Sequence, residues 1–325
     1  MTEIFGTFGP ACSSEAVLEE MLRCGMTGIR LNLSHCDLED STDQISALRA
    51  AEKQVGMKAQ LVVDTQGPEL RIGDLRPLEL MAGNMVQLGV EIPVPTEVSA
   101  ALEDGDQVLL DDGKIALRVT DAAAGRTVVL RGGVLTGRKS IKLVGKQIRM
   151  PVLTDRDLRN LGQCTRYGVT GLLQPFVHSG AELQEVRRQL DACGAGDVQI
   201  FAKIETLDGV RNLKDILPYA DVIVIARGDL GNDMPLWKLP AVQKEISSVC
   251  REAGKPFIVV TQMLASMEHS AVPTRAEVSD IFNAVADGAW GVMLTGETAV
   301  GTYPVEAIRY LTNTAAEGEL WKRNP

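Results

Sequence analysis

The segment DVIVIARGDLG, residues 221–231, carries the clearest structural signal in the chain. Its first half is a run of β-branched and apolar residues, and its second half changes abruptly to charge and glycine. The segment FAKIE, residues 201–205, has the same form. In parallel α/β proteins, reactive groups collect where strands end and helices begin. Both segments therefore predict strands of a parallel sheet that end at a functional site.

The rest of the chain repeats this alternation of apolar runs and amphipathic helices. Two helices are predicted over residues 15–24 and 182–192, and a third begins at Thr274, where Glu277 completes a capping box. Eight strands with crossover helices predict an α/β fold, a (β/α)8 TIM barrel. The predicted strands are residues 4–9, 28–34, 60–65, 168–176, 199–205, 221–226, 257–262 and 291–297.

One long stretch, residues 67–148, interrupts this alternation. Turn signals such as EDGD at 103–106 and DDG at 111–113 separate short Val- and Leu-rich runs, as in a small β-barrel. We therefore expect a small all-β domain inserted after the third strand, where it is placed to act as a lid. The expected organisation is a first barrel part at 1–66, a lid domain at 67–148 and a second barrel part at 149–325.

Composition argues against several classes of partner. Hydrophobic residues make up 45% and charged residues 23% of the 325, which is ordinary for a soluble globular enzyme. The net charge of −10 disfavours nucleic acids and acidic membranes as main partners. The first residues lack a signal-peptide pattern, and no apolar run is long enough to cross a membrane. The six cysteines form no CxxC pair, so we expect reduced thiols and a cytoplasmic protein.

Charged side chains recur at the carboxyl ends of the predicted strands. Lys203 and Glu205 are two residues apart, so on a strand they share a face. Glu205 and Asp229 are hard oxygen donors, and Mg²⁺ or Mn²⁺ suits one or two carboxylates plus substrate oxygens and water. Either acid alone is also consistent with a solvated strand end or a helix cap. Their combination with Lys203 favours a site for a metal ion and a phosphorylated acid.

Nine segments together resemble the pyruvate kinase family, in the family's order and over nearly the whole chain. The co-occurrence is far more specific than any single motif, and the family's barrel is likewise interrupted by a β-domain. The segments are residues 7–11, 30–35, 64–71, 111–113, 203–205, 226–231, 261–263, 273–277 and 294–298.

The resemblance implies a role for particular residues. Lys203 would stabilise the phosphoryl group in transfer, assisted by Arg30, and Thr261 would relay a proton through water to the enol. The implied substrate-binding residues are Lys203, Ala226, Arg227, Gly228, Asp229 and Thr261. The implied nucleotide-binding residues are Arg30, His35, Arg71 and Lys139. The implied metal ligands are Glu205 and Asp229 for Mg²⁺ or Mn²⁺, and Asn32, Ser34, Asp64 and Thr65 for K⁺, with Glu69 at a position typical of K⁺-dependent members.

Simpler interpretations stay open for several of these residues. The four K⁺ candidates are also consistent with hydrogen-bonded residues of a barrel interior, and Arg30 and Arg71 with structural ion pairs. The chain departs from the family pattern where Gln66 replaces Lys and where Gln174 and Pro175 replace Ala and Ser. It also ends soon after the eighth helix, so we expect the family's C-terminal regulatory domain to be absent and a homo-oligomer to be possible.

The predicted reaction is transfer of the phosphoryl group of phosphoenolpyruvate to ADP, which gives pyruvate and ATP with Mg²⁺ and K⁺. Two alternatives remain. One is a divalent-metal lyase or decarboxylase that acts on an oxo-acid on the same barrel. The other is a non-catalytic homologue that binds ligands or proteins, which the substitutions at Gln66, Gln174 and Pro175 leave open.

Overall fold

The computed structural model describes residues 1–34, 36–68, 70–111, 113–146, 148 and 150–323. The chain divides into two compact units. The first unit combines residues 1–67 with 152–325, and the second comprises residues 68–151. No helix within the described ranges combines the length and the apolar content needed to cross a bilayer.

The first unit opens with three strands and two helices in alternation. Helix α1 begins after Ser14, whose side chain accepts a hydrogen bond from the Val17 backbone N–H, because that group has no partner within the helix. The elements are β1 (Glu3–Thr7), α1 (Glu15–Arg23), β2 (Gly28–Asn32), α2 (Thr42–Val55) and β3 (Gln60–Asp64).

The second unit consists of short antiparallel strands around its own apolar core. Val108, Leu117 and Val129 are among the side chains that this core buries. Five strands pair in the order β10-β6-β7-β8-β5, β4 pairs with β9, and one short helix accompanies the expected strands. The elements are β4 (Leu78–Leu80), β5 (Met85–Gln87), α3 (Thr96–Ala101), β6 (Gln107–Leu110), β7 (Ile115–Asp121), β8 (Arg126–Arg131), β9 (Gly133–Leu135) and β10 (Ile141–Leu143).

The first unit then resumes with five strands, each followed by helices. The strands are β11 (Gly171–Gln174), β12 (Gln199–Ile204), β13 (Val222–Ala226), β14 (Phe257–Val260) and β15 (Gly291–Met293). The helices are α4 (Asp155–Leu161), α5 (Cys164–Tyr167), α6 (Gly180–Ala192), α7 (Leu207–Arg211), α8 (Leu213–Ile216), α9 (Arg227–Asn232), α10 (Leu239–Glu252), α11 (Arg275–Ala286), α12 (Gly296–Ala299) and α13 (Pro304–Arg323).

Eight strands of the first unit close into a parallel barrel in the order β1-β15-β14-β13-β12-β11-β3-β2. The predicted (β/α)8 barrel is therefore confirmed. Seven predicted strands contain an observed one, and the first overlaps β1, which begins one residue earlier, at Glu3. The capping box that starts α11 is also present: Glu277 N–H donates to the Thr274 hydroxyl, and Thr274 N–H donates to the Glu277 carboxylate. Seven of the eight strands end earlier than predicted, and β13 ends at Ala226, as predicted.

Side-chain alternation decides which residues face the barrel interior. Phe5, Phe201 and Val224 form part of an interior cluster, and Trp290 packs its ring against both phenylalanines, with centroids 6.1 and 6.3 Å away. Ala202 belongs instead to the layer between strands and helices. Because alternate residues of a strand share a face, Lys203 lies on the interior side of β12, beyond Phe201.

Candidate active site

Lys203 and Glu205 form a buried ion pair at the carboxyl end of β12. Lys203 Nζ lies 3.0 Å from Glu205 Oε1, and the two side chains are 15% and 2% exposed. Burial alone would lower the pKa of the Lys203 ammonium, but attraction by Asp64 and Glu205 outweighs it and the pKa is raised above its ordinary value. Lys203 is therefore a fixed cation at the mouth of the barrel.

Asp64 joins this pair to a second cation, Arg30. The Arg30 guanidinium contacts Asp64 Oδ2 from Nε at 2.8 Å and from Nη2 at 2.7 Å, while Lys203 Nζ lies 3.3 Å from both carboxylate oxygens. Arg30 lies on β2 and Asp64 ends β3, so three strands contribute to one charged cluster. Asp64 is 2% exposed, so this cluster lies largely away from water. The structural ion pair that the sequence left open as an alternative for Arg30 is present.

Glu205 is held by a neighbouring backbone group as well as by Lys203. The Phe176 N–H donates to Glu205 Oε2 at 2.8 Å, and Phe176 adopts a positive φ of 50° to present it. Burial raises the pKa of the Glu205 carboxyl to about 7; the charge of Lys203 opposes this rise, and those of Asp229 and Asp64 add to it. Glu205 is thus a buried carboxylate whose ionised form depends on nearby positive charge.

The end of β13 brings a further carboxylate to this cluster. Ala226 is the last residue of β13, and α9 starts at Arg227 with Asp229 in its first turn. Asp229 is half-buried, and its charge acts on the pKa of both Lys203 and Glu205. A Cβ placed on Gly228 would lie 3.2 Å from Thr261 Cγ2, so the start of α9 is in contact with the end of β14.

Arg227 and Thr261 are brought together in a way that the sequence does not predict. The Arg227 guanidinium donates to the Thr261 carbonyl oxygen from Nε at 3.1 Å and from Nη2 at 2.6 Å. Its Nη1 lies 2.6 Å from Asp280 Oδ2. The guanidinium is thus engaged by protein groups. A contact between Arg227 and the substrate stays a prediction, and the backbone of Arg227 would make it.

The four K⁺ candidates lie at the ends of adjacent strands, but their described contacts are with protein groups. Asn32 pairs with Asp64 in the register of β2 and β3. Asn32 Oδ1 accepts a hydrogen bond from the Ser34 N–H at 3.1 Å, and Thr65 Oγ1 donates to the Leu173 carbonyl at 3.2 Å. These hydrogen bonds agree with the simpler interpretation, in which the four residues are hydrogen-bonded groups of the barrel interior. The oxygen donors suit K⁺ in type, and the K⁺ site stays a prediction.

The predicted nucleotide-binding residues are distributed over both units. Arg30 belongs to the first unit, and His35, like Glu69, lies outside the described residues. Within the second unit, Arg71 Nη1 donates to the Arg138 carbonyl at 2.9 Å, and Lys139 Nζ lies 2.9 Å from Asp111 Oδ1. These contacts are internal to the second unit, so the nucleotide-binding assignment stays a prediction.

Three residues near the strand ends have contacts that sequence reasoning missed. Glu297, 1% exposed, accepts hydrogen bonds from the N–H groups of Leu264 at 3.0 Å and Thr295 at 2.7 Å. Asp280 anchors Arg227. Gln174 is fully buried; its Nε2 donates to a backbone carbonyl, and its Oε1 has no hydrogen-bond partner among the described groups. Two of the three had a sequence signal: Glu297 lies at a predicted strand end, and Gln174 departs from the family pattern.

The carboxylates fit a divalent cation. In the described part of the chain, no three His, Cys, Asp or Glu side chains are arranged to hold a metal ion by themselves. Mg²⁺, however, keeps several waters and is usually bound by one or two carboxylates together with substrate phosphates. Burial is the main cause of the raised pKa of Glu205, and the charge of Asp229 adds to it. A divalent cation held by Glu205 and Asp229 would stabilise their ionised forms.

Comparison with known proteins agrees with this arrangement. The family model for the pyruvate kinase barrel domain matches residues 1–308. The pyruvate kinases of Bacillus licheniformis and Geobacillus stearothermophilus are 37% and 38% identical to this chain, over 98% of the chain and 57% of each relative. That of Aeropyrum pernix is 38% identical, over 97% of the chain and 70% of the relative. The chain thus spans less than two thirds of the two bacterial relatives, and it belongs to the pyruvate kinase family.

Proposed function

We propose that this chain transfers the phosphoryl group of phosphoenolpyruvate to ADP, giving pyruvate and ATP. One observation carries the proposal: Lys203, a buried permanent cation, lies between the carboxylates of Asp64 and Glu205 at the mouth of the barrel. Phosphoryl transfer needs positive charge fixed where negative charge develops. A lysine held by two carboxylates is positioned before the substrate arrives, so it does not have to reorganise during the reaction.

The reaction breaks the bond between phosphorus and the enol oxygen and forms a bond between phosphorus and a terminal oxygen of ADP. Lys203 stabilises the charge on the phosphoryl oxygens, with Arg30 as the second cation. A divalent cation held by Glu205 and Asp229 would add positive charge at the substrate oxygens. In this proposal the turn formed by Ala226, Arg227, Gly228 and Asp229 directs backbone N–H groups at the substrate carboxylate.

The enolate that remains must gain a proton at its methylene carbon. Thr261 directly follows β14, the strand next to β13, and lies beside Gly228. In this proposal its hydroxyl orients a water molecule toward that carbon. An O–H bond of the water breaks, a C–H bond forms, and solvent returns a proton to the hydroxide. Arg30, His35, Arg71 and Lys139 are proposed to contact the nucleotide, and Asn32, Ser34, Asp64 and Thr65 to contact K⁺.

The protonation state of Lys203 disfavours a lyase that uses this lysine as a nucleophile or a base; a divalent-metal lyase would need the enolate site but no ADP, so the assay below must separate it. A lysine that forms a Schiff base or removes a proton needs a lowered pKa, so that its neutral amine is available. The pKa of Lys203 is raised instead, because Asp64 and Glu205 hold the ammonium charged. A permanent cation suits an anionic phosphoryl group better than it suits nucleophilic chemistry. The same charged cluster argues against a protein that has lost catalysis.

A coupled assay tests the proposal directly. Pyruvate formation is followed with phosphoenolpyruvate, ADP, Mg²⁺ and K⁺, and oxo-acid decarboxylation is followed in parallel without nucleotide. We expect pyruvate formation that requires ADP and is lost in Lys203→Met. Lys244→Met is a matched control, because Lys244 forms an exposed ion pair with Asp287 at 2.6 Å. Decarboxylation without ADP-dependent pyruvate formation would support the lyase, and ligand binding without turnover would support the non-catalytic homologue.

A further inference from the structure

The backbone at the end of β14 adopts an unfavourable conformation. Thr261 has φ of +83° and Gln262 has φ of +54°. A β-branched residue with positive φ is an outlier, because its Cβ crowds the adjacent backbone. Such conformations persist only where surrounding contacts impose them, and they concentrate at functional sites. The groups that hold Thr261 in this conformation therefore affect its function.

Arg227 supplies the principal contact that holds this conformation. Ala226 pairs with Val260 in the register of β13 and β14, so Arg227 and Thr261 directly follow the last residues of two adjacent strands. Two nitrogens of the Arg227 guanidinium donate to the Thr261 carbonyl, and Nη2 also lies 3.0 Å from Met263 Sδ. The Arg227 side chain is 12% exposed, so water competes little for these hydrogen bonds. Two donors on one oxygen fix the direction of the carbonyl as well as its position.

The guanidinium is itself anchored on its far side. Asp280, on α11, lies 2.6 Å from Arg227 Nη1, and its side chain is 34% exposed. Beyond Met263, the Leu264 N–H is held by the buried carboxylate of Glu297. The turn of residues 261–264 is therefore fixed at both ends, by Arg227 at the strained end and by Glu297 at the other.

We infer that Arg227, anchored by Asp280, is a positioning residue that holds Thr261 in the conformation needed to protonate the enolate. The inference rests on the proposed function, since it assigns Arg227 to the protonation step of that reaction. Arg227 acts through Thr261 and does not touch the substrate with its side chain. Its loss therefore affects the rate of proton delivery more than it affects substrate affinity.

The experiment compares Arg227→Met, Thr261→Ala and the double variant. Two activities are measured: ADP-dependent pyruvate formation, and exchange of the pyruvate methyl protons with deuterated water, followed by NMR. We expect Arg227→Met to slow exchange about 100-fold, because small misplacements of a reacting group cost that much. The KM for phosphoenolpyruvate stays close to that of the wild type, and the double variant exchanges no more slowly than Thr261→Ala. Arg227→Lys, which keeps the charge and one donor, recovers part of the loss.

Arg211→Met is the matched control, because Arg211 forms an exposed ion pair with Asp208. We expect this variant to leave both activities unchanged. If Arg227→Met folds poorly, Asp280→Asn removes only the anchor and gives the same pattern in weaker form. Additive losses in the double variant, or a raised KM with normal exchange, would overturn the inference. If the wild type has neither activity, the proposed function fails together with the role in protonation. In that case, amide hydrogen exchange of residues 261–266 tests whether Arg227 holds Thr261 in place. Faster exchange in Arg227→Met than in the wild type would support this role, and unchanged exchange would overturn it.

Discussion

The ammonium of Lys203, on β12, lies 3.0 Å from Oε1 of Glu205, which directly follows the last residue of that strand, and both side chains are largely withdrawn from water. This pair joins the two halves of the proposed chemistry. In that proposal Lys203 is the cation for the phosphoryl group, and Glu205 is a ligand for the divalent ion. Each group modifies the charge state of the other, so a change at one position alters both functions.

The first prediction concerns Lys203→Met. Phosphoryl transfer should fall about 1,000-fold or more, because one preorganised electrostatic partner of the transferring group is lost. Exchange of the pyruvate methyl protons should fall less, since Asp229 and Thr261 remain in place. Coupled pyruvate formation and NMR-monitored exchange measure the two rates. Equal losses in both, in a variant with wild-type circular dichroism, would contradict the assignment of Lys203 to the phosphoryl group.

The second prediction concerns the pH dependence of metal binding. The pKa of Glu205 is raised from 4.5 to about 7, mainly by burial, and a divalent ion binds its ionised form. Mn²⁺ affinity should therefore be constant above pH 7 and fall about tenfold per pH unit below it. Paramagnetic Mn²⁺ titration between pH 5 and pH 8 measures this dependence. Glu205→Gln should bind weakly at every pH, and a wild-type affinity that does not change with pH would count against Glu205 as a ligand.

The third prediction concerns the sharing of one ion by Glu205 and Asp229. Glu205→Gln and Asp229→Asn should each weaken Mn²⁺ binding, and the double variant should lose less than the sum of the two changes in binding free energy. Non-additivity is expected when two residues act on the same partner. Asp208→Asn, an exposed acid of α7, serves as the control. Unchanged Mn²⁺ binding in both single variants would mean that Glu205 and Asp229 are structural residues and do not bind the metal ion.

Much of the barrel was predictable, because strand identity depends on local patterns. An apolar run bounded by charge is visible in residues 221–226 without any knowledge of its neighbours. The strand ends were less predictable. The strand predicted at 257–262 stops at Val260, because Thr261 and Gln262 adopt positive φ, which only tertiary contacts such as that from Arg227 explain.

The contacts of the candidate site were predictable only in part. Alternation along a strand places Lys203 and Glu205 on one face, and the structure brings them together. The contact between Lys203 and Asp64 joins residues 139 positions apart, and no local pattern encodes it. The same holds for Arg227 and Asp280, which are 53 positions apart. These partners depend on the order of strands around the barrel and on where each strand ends.

The fourth prediction concerns a monovalent cation at Asn32, Ser34, Asp64 and Thr65. Pyruvate formation should fall when K⁺ is replaced by tetramethylammonium at the same ionic strength, because an ion of that size cannot be coordinated by these oxygens. K⁺ should also raise the melting temperature of the wild type, and Ser34→Ala should reduce that shift. Full activity in tetramethylammonium would favour the interpretation of these residues as hydrogen-bonded interior groups.

The last prediction concerns the stability contributed by Asp64. This carboxylate, 2% exposed, contacts both Arg30 and Lys203, so Asp64→Asn leaves two largely buried cations with less compensation. Removing one partner of a buried ion pair costs about 3–5 kcal/mol, and urea unfolding should show a loss in the free energy of unfolding of that size. Glu19→Gln breaks the exposed pair of Glu19 with Arg23 and should cost no more than about 0.5 kcal/mol. A loss in Asp64→Asn as small as that in Glu19→Gln would mean that water or a bound ion already compensates the two cations. In that case the charged cluster would not depend on Asp64, and the positioning of Lys203 would rest on Glu205 alone.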